Sequence, residues 1–289
     1  FKVTTVVTLV GGVMFLLWLG EQITERGIGN GVSLLIFSGI VAELPRALVQ
    51  ILEQGRTGAL SPFLIILIFF LAIAVIAFIV FIERSQRKII VQYPKRQVGN
   101  KIFSGDSSHL PLKINVSGVI PPIFASALLL LPTSISSFAG LGADSPDWLI
   151  TVNSFLGRGQ PMYLAIYISL IVFFAFFYTA IVFNPDETAD NLKRNGGFVP
   201  GIRPGPPTSE YLDFVLTRLT AIGAVYLSAV CILPEILISK YSIPFYFGGT
   251  SLLIVVTVSI DTVAQAQSHM IAHQYSGLIK KRRLGGISR

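Results

Sequence analysis

PFLIILIFFLAIAVIAFIVFI, Pro62–Ile82, and PMYLAIYISLIVFFAFFYTAIVF, Pro161–Phe183, contain no charged residue. A run of about 20 apolar residues is long enough to cross a bilayer as an α-helix. The first run passes directly into Glu83-Arg84-Ser85-Gln86-Arg87-Lys88, the start of a loop with six Lys/Arg. Apolar runs flanking a basic loop identify an integral membrane protein and assign that loop to the cytoplasm.

The composition agrees. The 289 residues are 52% hydrophobic and 13% charged, with a mean hydropathy of +0.71. A soluble domain carries roughly 25% charge. The net charge of +7 sits mainly in loops between apolar runs, where it sets topology and does not require a nucleic acid. The one cysteine, Cys231, lies in an apolar segment, so no disulfide framework is expected within the chain. The chain opens Phe1-Lys2-Val3, without an initiator Met or a signal-peptide pattern, and reads as a fragment.

The pattern predicts an all-α polytopic bundle, a single membrane domain over residues 1–289. Seven spans are expected: Val3–Leu19, Val32–Leu52, Pro62–Ile82, Ile114–Ile135, Pro161–Phe183, Leu212–Leu233 and Phe245–Gln265. Glu43, Pro45 and Arg46 interrupt the second. Asn115, Ser117, Gly118, Pro121 and Pro122 fall inside the fourth, and Gly248-Gly249 near the start of the seventh. Such residues are tolerated where protein or a water-filled cavity satisfies the freed backbone groups, so these three spans are expected to face protein or a pore. Placing the loop after the third span inside puts fifteen of the 22 basic residues in inside segments and five in outside ones. Lys113 and Arg218 can snorkel at cytoplasmic span ends. The long loops 83–109 and 184–210 and the tail 266–289, with Lys280-Lys281-Arg282-Arg283, are then cytoplasmic. The first span starts outside, which predicts an odd number of further spans before Phe1.

Enzyme chemistry is not apparent. His269 and His273 share a helical face, but Met270 stands where a zinc-protease motif needs Glu, and no third ligand is near. Gly27-Ile28-Gly29-Asn30-Gly31 lacks the Lys-Ser/Thr of a phosphate loop and follows a membrane helix, so a tight turn is expected. No serine-nucleophile elbow appears. Neither a cofactor nor a metal is expected. Glu43, Asp213, Glu235 and Asp261 all lie near span ends, which weakens an ion-coupled transporter.

The long loops carry more. Lys88-Ile89-Ile90-Val91-Gln92-Tyr93 alternates as a strand or hairpin arm would. Phe198-Val199-Pro200-Gly201-Ile202-Arg203-Pro204-Gly205 should form a stiff turn that presents Arg203 at its tip. A rigidly held guanidinium suits docking to carboxylates or phosphates.

These residues carry a resemblance. Gly20-Glu21-Gln22-Ile23-Thr24-Glu25-Arg26-Gly27-Ile28-Gly29-Asn30-Gly31 resembles the SecY subunit of the bacterial protein-conducting channel. So do Asn184-Pro185 with Glu187–Lys193, the Phe198–Gly205 loop, and Pro244-Phe245-Tyr246-Phe247-Gly248-Gly249-Thr250-Ser251-Leu252-Leu253-Ile254. The resemblance covers essentially the whole chain. It implies that the seven spans are the fourth to tenth helices of a ten-helix channel. The first three, which carry the plug and one wall of the lateral gate, would be absent.

Further implications of the resemblance concern residues. Val32, Ile36, Ile123 and Ile254 would line an aliphatic pore ring, looser at Val32 where relatives usually have isoleucine. Gly118, Pro121, Pro122 and Ser126 would belong to the lateral gate, with the glycine and prolines weakening that helix's hydrogen bonding. Arg84, Arg87, Lys88, Lys95, Arg96, Lys101 and Arg203 would dock the SecA motor ATPase and the ribosome, including its rRNA. Asn100-Lys101 stands where relatives often have two arginines. SecE, SecG, preprotein signal sequences and membrane lipids would be the other partners, at the bacterial plasma membrane. The rival readings are a secondary transporter with broken helices and a membrane-embedded enzyme.

Overall fold

The computed structural model describes residues 2–58, 61–94, 96–98, 101–103, 107–138, 157, 160–241 and 249–284. Eight helices and four strands follow one another among them. They are α1 (Lys2–Arg26), α2 (Gly31–Arg56), α3 (Pro62–Arg84), β1 (Gln86–Gln92), β2 (Arg96–Val98), β3 (Lys101–Phe103), β4 (Ser107–Lys113), α4 (Ile120–Phe138), α5 (Pro161–Val182), α6 (Pro185–Arg194), α7 (Pro206–Tyr241) and α8 (Gly249–Leu284). Among the described residues, six helical segments are long and apolar enough to cross a membrane. The 23 residues of α3 reach about 34 Å at 1.5 Å per residue.

The chain divides into two compact units, residues 1–68 with 251–289, and residues 69–250. In the first unit α1 and α2 pack through glycine. A Cβ on Gly20 would lie 2.9 Å from Val32 Cγ2, and one on Gly31 would run into the Gly20 carbonyl and lie 2.8 Å from Ile23 Cβ. Small residues let membrane helices approach backbone to backbone. The turn between them is closed by polar groups. Asn30 caps α2 by accepting from Ser33 N–H, Thr24 Oγ1 accepts from Gly31 N–H at 2.8 Å, and the Gln265 side chain of α8 accepts from Gly29 N–H at 2.8 Å. Gly29 has φ +94°, a conformation that favours glycine.

A prediction arises here. Gly31→Ala should lower the thermal unfolding midpoint in detergent, at a cost of about 1–3 kcal/mol or more, because the methyl group meets backbone that cannot yield. Gly11→Ala and Gly12→Ala meet nothing within 4 Å and should be neutral or slightly stabilising. Equal midpoints for all three variants would contradict the close α1–α2 approach.

The second unit holds the long loops. Strands β1 and β4 pair antiparallel, from Gln86↔Lys113 to Gln92↔Ser107, and the short strands β2 and β3 pair at Arg96↔Phe103. Ile89 and Val91 point inward from β1 while Lys88 and Ile90 stay exposed, the period-2 alternation expected of a half-buried strand. The strand expected within Lys88–Tyr93 is present but runs Gln86–Gln92, starting two residues earlier and leaving Tyr93 out.

The structure shifts several expected boundaries. The fourth span was expected from Ile114, but α4 begins at Ile120 and runs to Phe138. Asn115, Ser117 and Gly118 precede it as an irregular connection. Glu43, Pro45 and Arg46 do not interrupt α2, which absorbs Pro45 in its interior. The start of α7, Pro206, lies six residues before the expected Leu212, and α8 runs through much of the expected tail to Leu284. From Thr250 to Ser276 no glycine or proline breaks α8. The expected span residues Phe245–Gly248 lie outside the described residues.

Candidate functional site

The two long loops, about a hundred residues apart in sequence, fold into one structure. Gln92 and Phe198 exchange both backbone hydrogen bonds, each 2.9 Å, as an antiparallel bridge. A Cβ on Gly197 would lie 3.0 Å from both Val91 Cγ1 and Tyr93 Cε1, so glycine allows this contact. Beneath the bridge Ile89, Leu112 and Val199 pack with Leu212, Val215, Leu216 and Leu219 of α7. Strand hydrogen bonds and apolar burial together fix the loops to the helix.

Local sequence explains the second loop. Asn184 caps α6 by accepting from Asp186 N–H at 3.1 Å and from Glu187 N–H. Asp186 and Glu187 sit in the first turn and Lys193 and Arg194 in the last, complementing the helix dipole. Asp186 also accepts from Ser209 Oγ at the start of α7. Val199-Pro200-Gly201-Ile202 is a turn closed by Ile202 N–H to Val199 C=O at 3.1 Å, with Gly201 at φ +85°. Proline followed by a left-handed glycine is the type II pattern. The Arg203 carbonyl accepts from Thr208 Oγ1 at 2.8 Å, while its side chain is exposed. The backbone is pinned and the guanidinium is left to solvent, as the sequence predicts.

The other basic residues divide. Arg84 closes α3, and Arg87 and Lys88 lie on β1; all three are exposed. As neighbours on a strand, Arg87 and Lys88 point to opposite faces. Arg96 starts β2 and Lys101 starts β3, whereas Lys95 lies outside the described residues, as does Asn100.

Of the expected ring residues, Val32 and Ile36 share one face of α2, 41% and 42% exposed. Ile254 is buried in α8 at 6%, and Ile123 is half-buried in the first turn of α4. Val32, Ile36 and Ile254 belong to the first unit and Ile123 to the second.

The expected gate residues need a correction. Gly118 is not in a helix but in the connection before α4, at φ +65°. Pro121 and Pro122 are fully buried in the first helical turn, where backbone N–H groups have no intrahelical acceptor. They therefore break no helical hydrogen bond, and the interior proline of α4 is Pro132. Ser126 turns its hydroxyl back onto the Ile123 carbonyl at 2.9 Å.

One polar cluster was not anticipated as a unit. Glu83 at the end of α3 is 8% exposed, and its Oε1 accepts from Asn115 Nδ2 at 2.8 Å and from Tyr226 OH of α7 at 3.4 Å. Asn115 Nδ2 also donates to the Gly118 carbonyl at 3.0 Å, and Ser117 Oγ donates to Asn115 Oδ1 at 3.1 Å. The sequence signal was present: two polar residues where an apolar span was expected.

Apolar crossing helices joined by structured, basic loops define a polytopic helical membrane protein with a built extramembrane face. The SecY family model matches residues 1–263, and the chain belongs to the SecY family. It is 55% identical over 291 residues to the protein translocase subunit SecY of Vibrio cholerae serotype O1, covering 100% of this chain and 66% of the relative. To the protein translocase subunit SecY of Escherichia coli strain K12 it is 54% identical over 289 residues, covering 100% and 65%. That of Rickettsia conorii is 53% identical over 284 residues, covering 98% and 65%. The chain thus spans about two thirds of the length of these relatives. A solved protein-conducting channel superposes with a TM-score of 0.63 at 17% identity, covering 90% of this chain and 64% of that one. A second solved structure, concerned with the SecY plug domain, gives 0.60 at 18%. At such identities the likeness shows the fold. No such relative favours the secondary transporter.

Proposed function

We propose that this chain is the pore-forming part of a protein-conducting channel that moves unfolded preproteins across the bacterial plasma membrane and releases apolar segments sideways into lipid. The observation that carries the reading is that similarity to protein translocase subunits runs along the whole chain, loops included. The joined loops supply the rest: a rigid turn with Arg203 held out to solvent suits docking of an acidic or phosphate-bearing partner. Those loops and the tail lie in the cytoplasm, where the motor ATPase SecA and the ribosome with its rRNA bind. SecE and SecG pack against the helices.

Val32, Ile36, Ile123 and Ile254 form the constriction. Aliphatic side chains at a narrow point oppose ions by dewetting and move aside for a polypeptide. α4 belongs to the lateral gate, and the apolar area of a signal sequence drives its own partition into lipid at about 25 cal/mol per Å². The chain contributes no catalysis; its partners supply the energy.

The test is reconstitution of the full-length protein in inverted vesicles with SecA, ATP and a secretory preprotein. ATP-dependent protease protection of the preprotein is expected. Saturable uptake of a small solute without preprotein protection would replace this reading with a transporter.

A further inference from the structure

The Glu83–Asn115–Tyr226 cluster occupies a particular place in the chain. Glu83 is three residues before β1, and Asn115 is two residues after β4. The cluster is therefore the base of the β1–β4 hairpin, where it emerges from α3 and leaves toward α4. Below it the chain must cross Gly118, left-handed at φ +65° with nothing within 4 Å of where a Cβ would be. Glycine there answers a backbone requirement, and such a residue is a natural swivel. A swivel between hairpin and α4 would dissipate any displacement of the hairpin.

Asn115 bridges that swivel. One amide proton goes to the Gly118 carbonyl and the other to Glu83 on α3. Its carbonyl is taken by Ser117, and Glu83 is held as well by Tyr226 of α7, whose ring lies 5.8 Å from that of Phe78. Ile114 N–H donates to the Ser85 carbonyl at 3.3 Å, extending the hairpin ladder to the cluster. A Cβ on Gly223 of α7 would come within 3.0 Å of the Ile114 carbonyl, so α7 also abuts this connection. Hydrogen bonds to a buried carboxyl group are stronger than exposed ones, and losing a donor there is correspondingly costly.

We propose that Asn115 is a positioning residue that locks the Gly118 swivel to Glu83 of α3, so that the hairpin and α4 move as one body. This rests on the channel reading: a load applied by a partner on the hairpin reaches the gate helix through Asn115.

The mechanical part is tested without transport. Nitroxides at Ile90 of β1 and Leu128 of α4, both exposed, report the hairpin-to-α4 distance in the full-length protein in lipid nanodiscs. One narrow distribution is expected in the wild type, and a broad or two-component one in Asn115→Ala. Asn115→Asp keeps the volume but removes both donors, and should broaden it equally. Glu83→Ala added to Asn115→Ala should broaden it little further, since both remove the same contact. Unchanged distributions in Asn115→Ala and Asn115→Asp would overturn the lock. In inverted vesicles, export per bound SecA should fall at least tenfold in Asn115→Asp while SecA affinity stays constant. Affinity and export falling together would show mere structural support and overturn the coupling. A wild type that exports nothing but keeps one narrow distance would sink the channel reading alone.

Discussion

Arg203→Glu is expected to abolish SecA-driven export while leaving the amount of protein in the membrane unchanged. The backbone at this residue is structural, because its carbonyl accepts from Thr208, but the side chain is exposed and packs into no core. On the proposed reading, reversal would remove a guanidinium from the docking contact and set a carboxylate against the same partner. Disrupting a buried charge pair at an interface costs about 2–5 kcal/mol, roughly 30-fold to a few thousand-fold in affinity. Arg203→Lys keeps the charge but loses the planar fork, so an intermediate loss is expected. Vesicles with equal immunodetected protein and a titration of SecA provide the measurement. Export by Arg203→Glu at the wild-type rate would remove this residue from the docking surface.

Ile123→Gly should raise resting ion conductance on the order of tenfold or more, measured in planar bilayers. In the channel proposed above an aliphatic ring would oppose ions by excluding water, and removing one of its side chains would admit water there. A barrier lowered by about 1.4 kcal/mol gives a tenfold faster passage. Ile254→Gly should leak too, but its side chain is buried, so a stability loss of about 2–5 kcal/mol accompanies it. Half-buried Ile123 separates leak from unfolding more cleanly. A tight membrane with both variants at full expression would move the constriction elsewhere.

Much of this was legible in the residues. The run Pro161–Phe183 predicts α5 to within one residue, because a helix in lipid must satisfy every backbone group internally. Pro200-Gly201 signals the turn that presents Arg203, since these residues restrict their own backbone, whereas the helix Pro185–Arg194 lies in a stretch read as a loop. The start of α4 was not legible. Asn115 and Ser117 hint at a later start, but nothing local fixes Gly118 as left-handed or places Pro121 and Pro122 in a first turn.

By itself the sequence determined the membrane class, the crossing helices α3 and α5, the strand in the first loop and the rigid turn at Arg203. All depend on residues within a few positions of one another. Only the tertiary structure decided that the two loops bridge at Gln92 and Phe198, that both rest on α7, and that Glu83 meets Asn115 and Tyr226, residues 32 and 143 positions away. Hydrogen bonds and burial at such separations depend on which surfaces the folded chain brings together. A local pattern specifies which face is apolar or which group needs a partner, and the packing alone chooses the partner.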